Sequence, residues 1–128
     1  MTPKHILIVE DDVDVAQSVA EVLEISGYCT AIAANGREAL DHLDKNSHPD
    51  LILLDMMMPV MNGWQFRGEQ RKVPALDSIP VVIVTADGDA RGKAAAIQAA
   101  GHVTKPVTID RLLNAVERIC GGPDGTAQ

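Results

Sequence analysis

The sequence predicts a doubly wound α/β domain, a five-stranded parallel sheet with helices on both faces. Three observations predict it. Short apolar runs alternate with segments of helical periodicity along the whole chain. The runs, such as Leu51 to Leu54, are continuously aliphatic, as strands covered on both faces must be. Their C-terminal ends carry acids, a hydroxyl and an ammonium: Glu10, Asp11, Asp55, Thr85 and Lys105.

Strand one is Ile6 to Val9, ending in Glu10, Asp11 and Asp12. Val15, Val19, Val22 and Leu23 then have the spacing of an amphipathic helix, stopped by Gly27. Tyr28 to Ala33 is a second, less apolar strand suited to an edge. Asn35 and Glu38 open a helix with Ala39, Leu40 and Leu43 as its buried face. His42 and His48 read as solvated, and His48, Pro49 and Asp50 break the pattern before strand three.

That third strand ends abruptly at Asp55 and passes through Met56, Met57 and Met58 to Pro59. A lone acid at a strand end can simply cap the next turn. In an open parallel sheet, however, ligands bind at the carboxyl ends of the strands, which makes Asp55 the first candidate for chemistry. After Asn62 and Gly63 a helix runs from Trp64 to about Lys72, weakened by Gly68, with Arg67, Arg71 and Lys72 as a solvated basic face. Val73 to Pro80 reads as a loop with two prolines. Val81 to Val84 is strand four, leading into Thr85. Asp87 to Asp89 form a polar turn, and Ala90 to Ala100 an alanine-rich helix ended by Gly101. His102 to Thr104 is a brief fifth strand followed by Lys105 and Pro106. Thr108 caps a last helix built on Ile109, Leu112, Leu113 and Val116, which Gly121 and Gly122 end.

With 128 residues the chain supports one core, burying roughly two thirds of its unfolded surface. The expected domain is residues 1–122, with 123–128 a disordered tail. A net charge of -7 argues against direct binding of nucleic acid, which needs clustered Lys and Arg. Cys29 and Cys120 have no metal-ligand spacing and point to a reducing compartment. No signal peptide and no membrane span is visible, so the expected location is cytoplasmic and no membrane partner is expected.

In a sheet of order 2-1-3-4-5 the order of the strands reverses between strands one and three, so Glu10 and Asp11 would face Asp55 across one crevice, with Thr85 and Lys105 on neighbouring strands. Two carboxylates about 4 Å apart repel by roughly 4 kcal/mol at an effective dielectric of 20, so either some are protonated or a cation sits among them. Hard oxygen ligands on a shallow rim suit Mg2+. A carboxylate nucleophile at Asp55 flanked by Mg2+, Lys105 and Thr85 is equipped to attack a phosphoryl group.

Ile6 to Asp12 (ILIVEDD), Leu51 to Gly63 (LILLDMMMPVMNG), Val81 to Ala86 (VVIVTA) and Lys105-Pro106, in this order and spacing, closely resemble the receiver domain of two-component response regulators. The resemblance covers nearly the whole chain and implies a flavodoxin-like, CheY-like (βα)5 fold of strand order 2-1-3-4-5. It implies that Asp55 accepts a phosphoryl group from a sensor histidine kinase or phosphotransfer protein. Mg2+ ligands would be Asp11, Asp55 and the main-chain carbonyl of Met57, with Glu10 acting through water. Lys105 would pair with the phosphoryl group, Thr85 would close onto it, and Lys105-Pro106 would be cis.

Three departures from the family pattern stand out. His102 occupies the place of the usual aromatic switch residue, either turning inward like it or simply ending the strand half-exposed. Val107 replaces a common Phe, and the connection at Gly101 to His102 is shorter than usual. Phosphorylation is expected to shift the surface formed by the fourth predicted helix, fifth strand and last helix. With no output domain after Cys120, the signal would leave by binding an unknown downstream protein there, and a homodimer stays open. The residues do not distinguish a stand-alone regulator from a piece of a hybrid kinase.

Other readings are a constitutive scaffold receiver, an aspartyl-phosphate phosphatase and a flavodoxin-like cofactor binder. The phosphatase would want a second Asp where Met57 stands. The cofactor binder would want a Gly-, Ser- or Thr-rich loop where Glu10, Asp11 and Asp12 would repel a phosphate. The protein is thus expected to catalyse only its own phosphorylation and dephosphorylation.

Overall fold

The computed structural model describes residues 3–86 and 90–121. The polar turn expected at 87–89 and the tail at 123–128 lie outside the described residues. The elements run β1 (His5–Val9), α1 (Val13–Ile25), β2 (Cys29–Ala33), α2 (Gly36–Lys45), β3 (Leu51–Asp55), α3 (Gly63–Arg71), α4 (Pro74–Asp77), β4 (Val81–Thr85), α5 (Ala90–Ala96), β5 (Gly101–Thr104) and α6 (Ile109–Cys120).

The five strands form one sheet in the order β2-β1-β3-β4-β5, with every neighbouring pair parallel. Alternation along the strands sends side chains into two cores. Leu7, Ile52, Leu54, Val81 and Ile83 pack with Phe66, Ile79, Ala94 and Ile97 on one face. Ile6, Ile8, Leu51, Leu53 and Val82 pack with Ala16, Leu23, Leu112 and Val116 on the other. β3 lies in the middle and all five of its residues are buried, which is why its sequence lacks alternation. β2 is an edge strand, as its weaker apolar character predicts, and leaves Ile32 exposed.

Caps set the helix bounds. Asp12 accepts from Asp14 and Val15 main-chain N–H groups, and Asn35 accepts from Glu38. Asn62 and Gln65 form a reciprocal capping box that starts α3 one residue earlier than the periodicity predicts.

Four expectations need correction. The segment Val73 to Pro80 contains a helical turn, α4, with its proline at the first position, where the missing N–H costs nothing. The alanine-rich helix ends at Ala96 rather than Ala100. Gln98 adopts a left-handed φ of 55°, and Ala100 N–H already donates to Val81 O, because the short connection to β5 must begin pairing at once. β5 consequently starts at Gly101, not His102.

The fourth correction concerns Arg67, which is buried instead of solvated. Its Nε donates to Ile97 O at 2.9 Å, Nη2 to Gln98 O at 3.2 Å and Nη1 to Gln70 Oε1 at 2.9 Å. Gln70, fully buried, donates onward to Leu76 O and Ile79 O. Helical period alone cannot reveal that these polar groups find main-chain carbonyls of a distant element.

Of the two histidines read as solvated, His48 is exposed and His42 is half-buried. Cys29 and Cys120 are free thiols. Among the described residues, no helix is long and apolar enough to cross a membrane.

Candidate functional site

Parallel strands raise their C-terminal ends to one rim, and the chain's chemistry is gathered there. Glu10 follows β1, held by its N–H to Ala33 O at 3.0 Å, and is 5% exposed. Asp11 beside it is exposed. Asp12 is spent on capping α1, so the acidic triplet of the sequence separates into two site residues and one structural one.

Asp55 closes β3 and is also 5% exposed. The two readings of this acid coexist. Its Oδ1 accepts from Met57 N–H at 3.1 Å, shaping the next turn, while Oδ2 lies 3.7 Å from Lys105 Nζ. Ligand oxygens of Glu10, Asp11 and Asp55 lie within 4.8 Å of one another.

Thr85, the last residue of β4, is buried and pairs in register with Thr104. Its carbonyl accepts from Lys105 N–H at 2.8 Å, which fixes where the lysine leaves β5. The Lys105-Pro106 peptide is cis. Lys105 Nζ donates to Glu10 Oε1 at 3.1 Å, a contact that sequence reasoning missed because it joins two strands that are not neighbours in the sheet. Met57 has an exposed side chain. His102 is exposed on β5, opposite Ile83, and so stands at the surface.

The electrostatics follow from burial. Glu10 is pushed up to about 8, first by burial and then by the hydrogen bond and charge of Asp55, with Lys105 acting in the opposite direction. Burial by itself would lower Lys105. The hydrogen bond to Glu10 and the charges of Asp55, Glu10 and Asp11 outweigh it and raise the ammonium above its ordinary value. Among the described residues no donor reaches the buried Glu10 Oε2, a costly state for an ionised oxygen.

A cation meets each of these conditions. It would replace the proton that Glu10 otherwise retains, supply the partner Oε2 lacks and relieve repulsion among three acids. The donors are all hard oxygens, so the residues fit a small divalent ion such as Mg2+. Beside the site, an apolar groove of about 450 Å³ runs between α1 and the start of α6, lined by Val15, Val19, Pro106, Val107 and Ile109.

Comparison with known proteins agrees with this geometry. Residues 6–117 match the family model described as the response regulator receiver domain. Sporulation initiation phosphotransferase F of Bacillus subtilis is 37% identical over 120 residues, covering 92% of this chain and 94% of its own length. The response regulator MprA of Mycolicibacterium vanbaalenii is 34% identical over 113 residues, 87% of this chain. The chain spans about half the length of MprA, 48%. Among solved structures, the chemotaxis response regulator CheY4 of Vibrio cholerae superposes with a TM-score of 0.85 at 31% identity, covering 92% of this chain and 99% of that one. The matched segment holds every rim residue and nearly the whole sheet, and the chain belongs to the response regulator receiver domain family.

Proposed function

We propose that Asp55 is the phosphoacceptor of a two-component phosphorelay in the cytoplasm. The observation that carries this reading is the setting of its carboxylate, held at the end of a buried strand between the Lys105 ammonium at 3.7 Å and the acids Glu10 and Asp11. In the transfer, an Asp55 oxygen attacks the phosphorus of a phosphohistidine on a sensor kinase or phosphotransfer protein. The P–N bond breaks and the imidazole leaves with its electron pair, so an acyl phosphate forms on Asp55.

Lys105 neutralises charge that develops on the transferred oxygens, and the Thr85 hydroxyl is placed on the neighbouring strand to donate to one of them. Mg2+, held by Asp11, Asp55, the Met57 carbonyl and Glu10 through water, would supply further charge neutralisation. Once Asp55 carries the phosphoryl group, Lys105 exchanges its Glu10 partner for it. Thr85 ends β4 and Lys105 follows β5, so their movement is transmitted to the α5–β5–α6 face. His102 lies on that face and is the candidate second switch residue. The apolar groove beside α1 suits an approaching kinase or phosphotransfer helix.

Incubation with Mg2+ and a small phosphodonor tests this reading by intact mass. A gain of one phosphoryl group is expected in the wild type and none in Asp55→Asn. An unchanged gain in Asp55→Asn would sink the assignment.

A further inference from the structure

At the end of the sheet opposite the acidic rim, three side chains of soft-metal chemistry come to one corner. Alternation sends Leu7 and Val9 of β1, and Ala31 and Ala33 of β2, to the face that α2 covers with Ala39 and Leu43. Thr30, of the other parity, donates to Glu24 of α1 on the opposite face. His5 and Cys29 share the parity of Leu7 and Ala31, so both side chains stand on the α2 face. They are also partners in the parallel register of β1 and β2, which puts their Cα atoms about 5 Å apart. Nothing in their sequence spacing marks this pairing.

The last turn of α2 closes over the same corner. A groove of about 230 Å³ is lined there by His5 and His42 with Asn46, Ser47 and, next to Cys29 in the strand, Thr30 and Ala31. Cys29 is a free, half-buried thiol, and His5 is exposed. His42 is half-buried, and its ring is held from one side: Asn46 Nδ2 lies 3.3 Å from Nδ1 and donates to the His42 carbonyl at 3.0 Å. Among the described residues no hydrogen bond reaches His42 Nε2, which leaves that atom open to a ligand. With the Asn46 amide turned over, its oxygen accepts an Nδ1 proton, the outer contact that orients a metal-bound imidazole.

We propose that His5, Cys29 and His42 form a binding site for Zn2+, with water in the fourth position. One thiolate and two imidazoles are borderline-soft donors that suit Zn2+ in tetrahedral geometry, whereas Mg2+ needs hard oxygens. The rim acids already hold their ligand oxygens within 4.8 Å of one another. The lower site instead closes on its ion, which turns the exposed His5 ring inward. Binding releases the Cys29 thiol proton to solvent and ties β1, β2 and α2 together. His5 opens β1 and Glu10 lies just beyond its other end, so the zinc site stands independently of the phosphoryl chemistry proposed above.

Co2+ is the probe, because a thiolate ligand gives it a charge-transfer absorption that oxygen and nitrogen donors do not. The full chain, kept reduced and with excess Mg2+ to occupy the rim, is titrated with Co2+. A near-ultraviolet sulfur-to-cobalt band is expected, saturating at a single equivalent and bleached by Zn2+. Cys29→Ser should abolish the band, and His42→Gln should weaken Co2+ binding on the order of tenfold or more. Cys120→Ser removes the thiol packed on the other face of the sheet and should leave band and affinity unchanged. Thermal unfolding of each metal-free variant verifies its fold. The absence of a sulfur band in the wild type overturns the proposal. A band that survives Cys29→Ser, or that Cys120→Ser removes, overturns it as well, and so does equal binding by His42→Gln.

Discussion

Lys105 donates to Glu10 at 3.1 Å across 95 positions of sequence, and this pair sets the resting charge of the site. The same ammonium is 3.7 Å from Asp55, so it is shared between the acid that retains a proton and the acid that faces the phosphodonor. A site that keeps its lysine on Glu10 at rest has a partner to exchange when Asp55 gains charge.

The first prediction concerns pH. Glu10 titrates near 4.5 when unfolded and near 8 in the folded protein, so the unfolded chain releases this proton first. The metal-free protein therefore loses stability from this group as pH rises through that window. A divalent cation needs the ionised carboxylate, so Mg2+ binding should release a proton and tighten from about pH 5 to about pH 8. Calorimetry in buffers of different ionisation heat measures the proton count. In Glu10→Gln the pH dependence should flatten and binding should weaken, and zero proton release in the wild type would contradict the assignment.

Arg67 gives a second prediction. Arg67→Ala should cost about 2–4 kcal/mol in urea unfolding, because it strands the carbonyls of Ile97 and Gln98 and the side-chain oxygen of Gln70. Arg67→Lys should recover little of this, since a single ammonium cannot span the planar set of acceptors.

Two glycines of α3 should behave oppositely. A Cβ on Gly63 would stand 2.6 Å from Met56 Sδ and 2.8 Å from Met56 Cα, so Gly63→Ala must displace backbone next to Asp55. It should destabilise by about 1–3 kcal/mol and slow phosphoryl gain. A Cβ on Gly68 meets nothing within 4 Å, and Gly68→Ala should stabilise by about 1 kcal/mol through helix propensity alone. Urea midpoints at constant m-value check both.

Val60 is held at a φ of 67° in a tight turn closed by Met61 N–H to Pro59 O at 2.7 Å. A β-branched residue is strained there, and its exposed side chain returns no burial. Val60→Gly should therefore raise stability by about 1 kcal/mol, the relief exceeding the added chain entropy. A lower urea midpoint would show that the turn is not strained.

Much of the fold is legible in the residues because parallel strands buried on both faces must be continuously apolar, and the helices between them must be amphipathic. Leu51 to Leu54 and Val81 to Ile83 carry that signal plainly. Brief elements do not. α4 is a single turn without periodicity, and the end of α5 is set by Ala100 pairing with Val81, a contact with no local mark.

The class of fold, the two covered faces of the sheet and the acids, hydroxyl and lysine at the strand ends can be read from the residues alone. These depend on alternation and on chemistry that each residue carries alone. Tertiary structure decided how those groups divide their work. Asp12 became a helix cap while Asp11 stayed at the rim, Glu10 was buried beside Lys105 and Asp55, and Arg67 was drawn inside to the carbonyls of Ile97 and Gln98. The physical reason is that burial and hydrogen-bond partners belong to the assembled sheet, since desolvation and pairing are properties of neighbours brought together from distant parts of the chain.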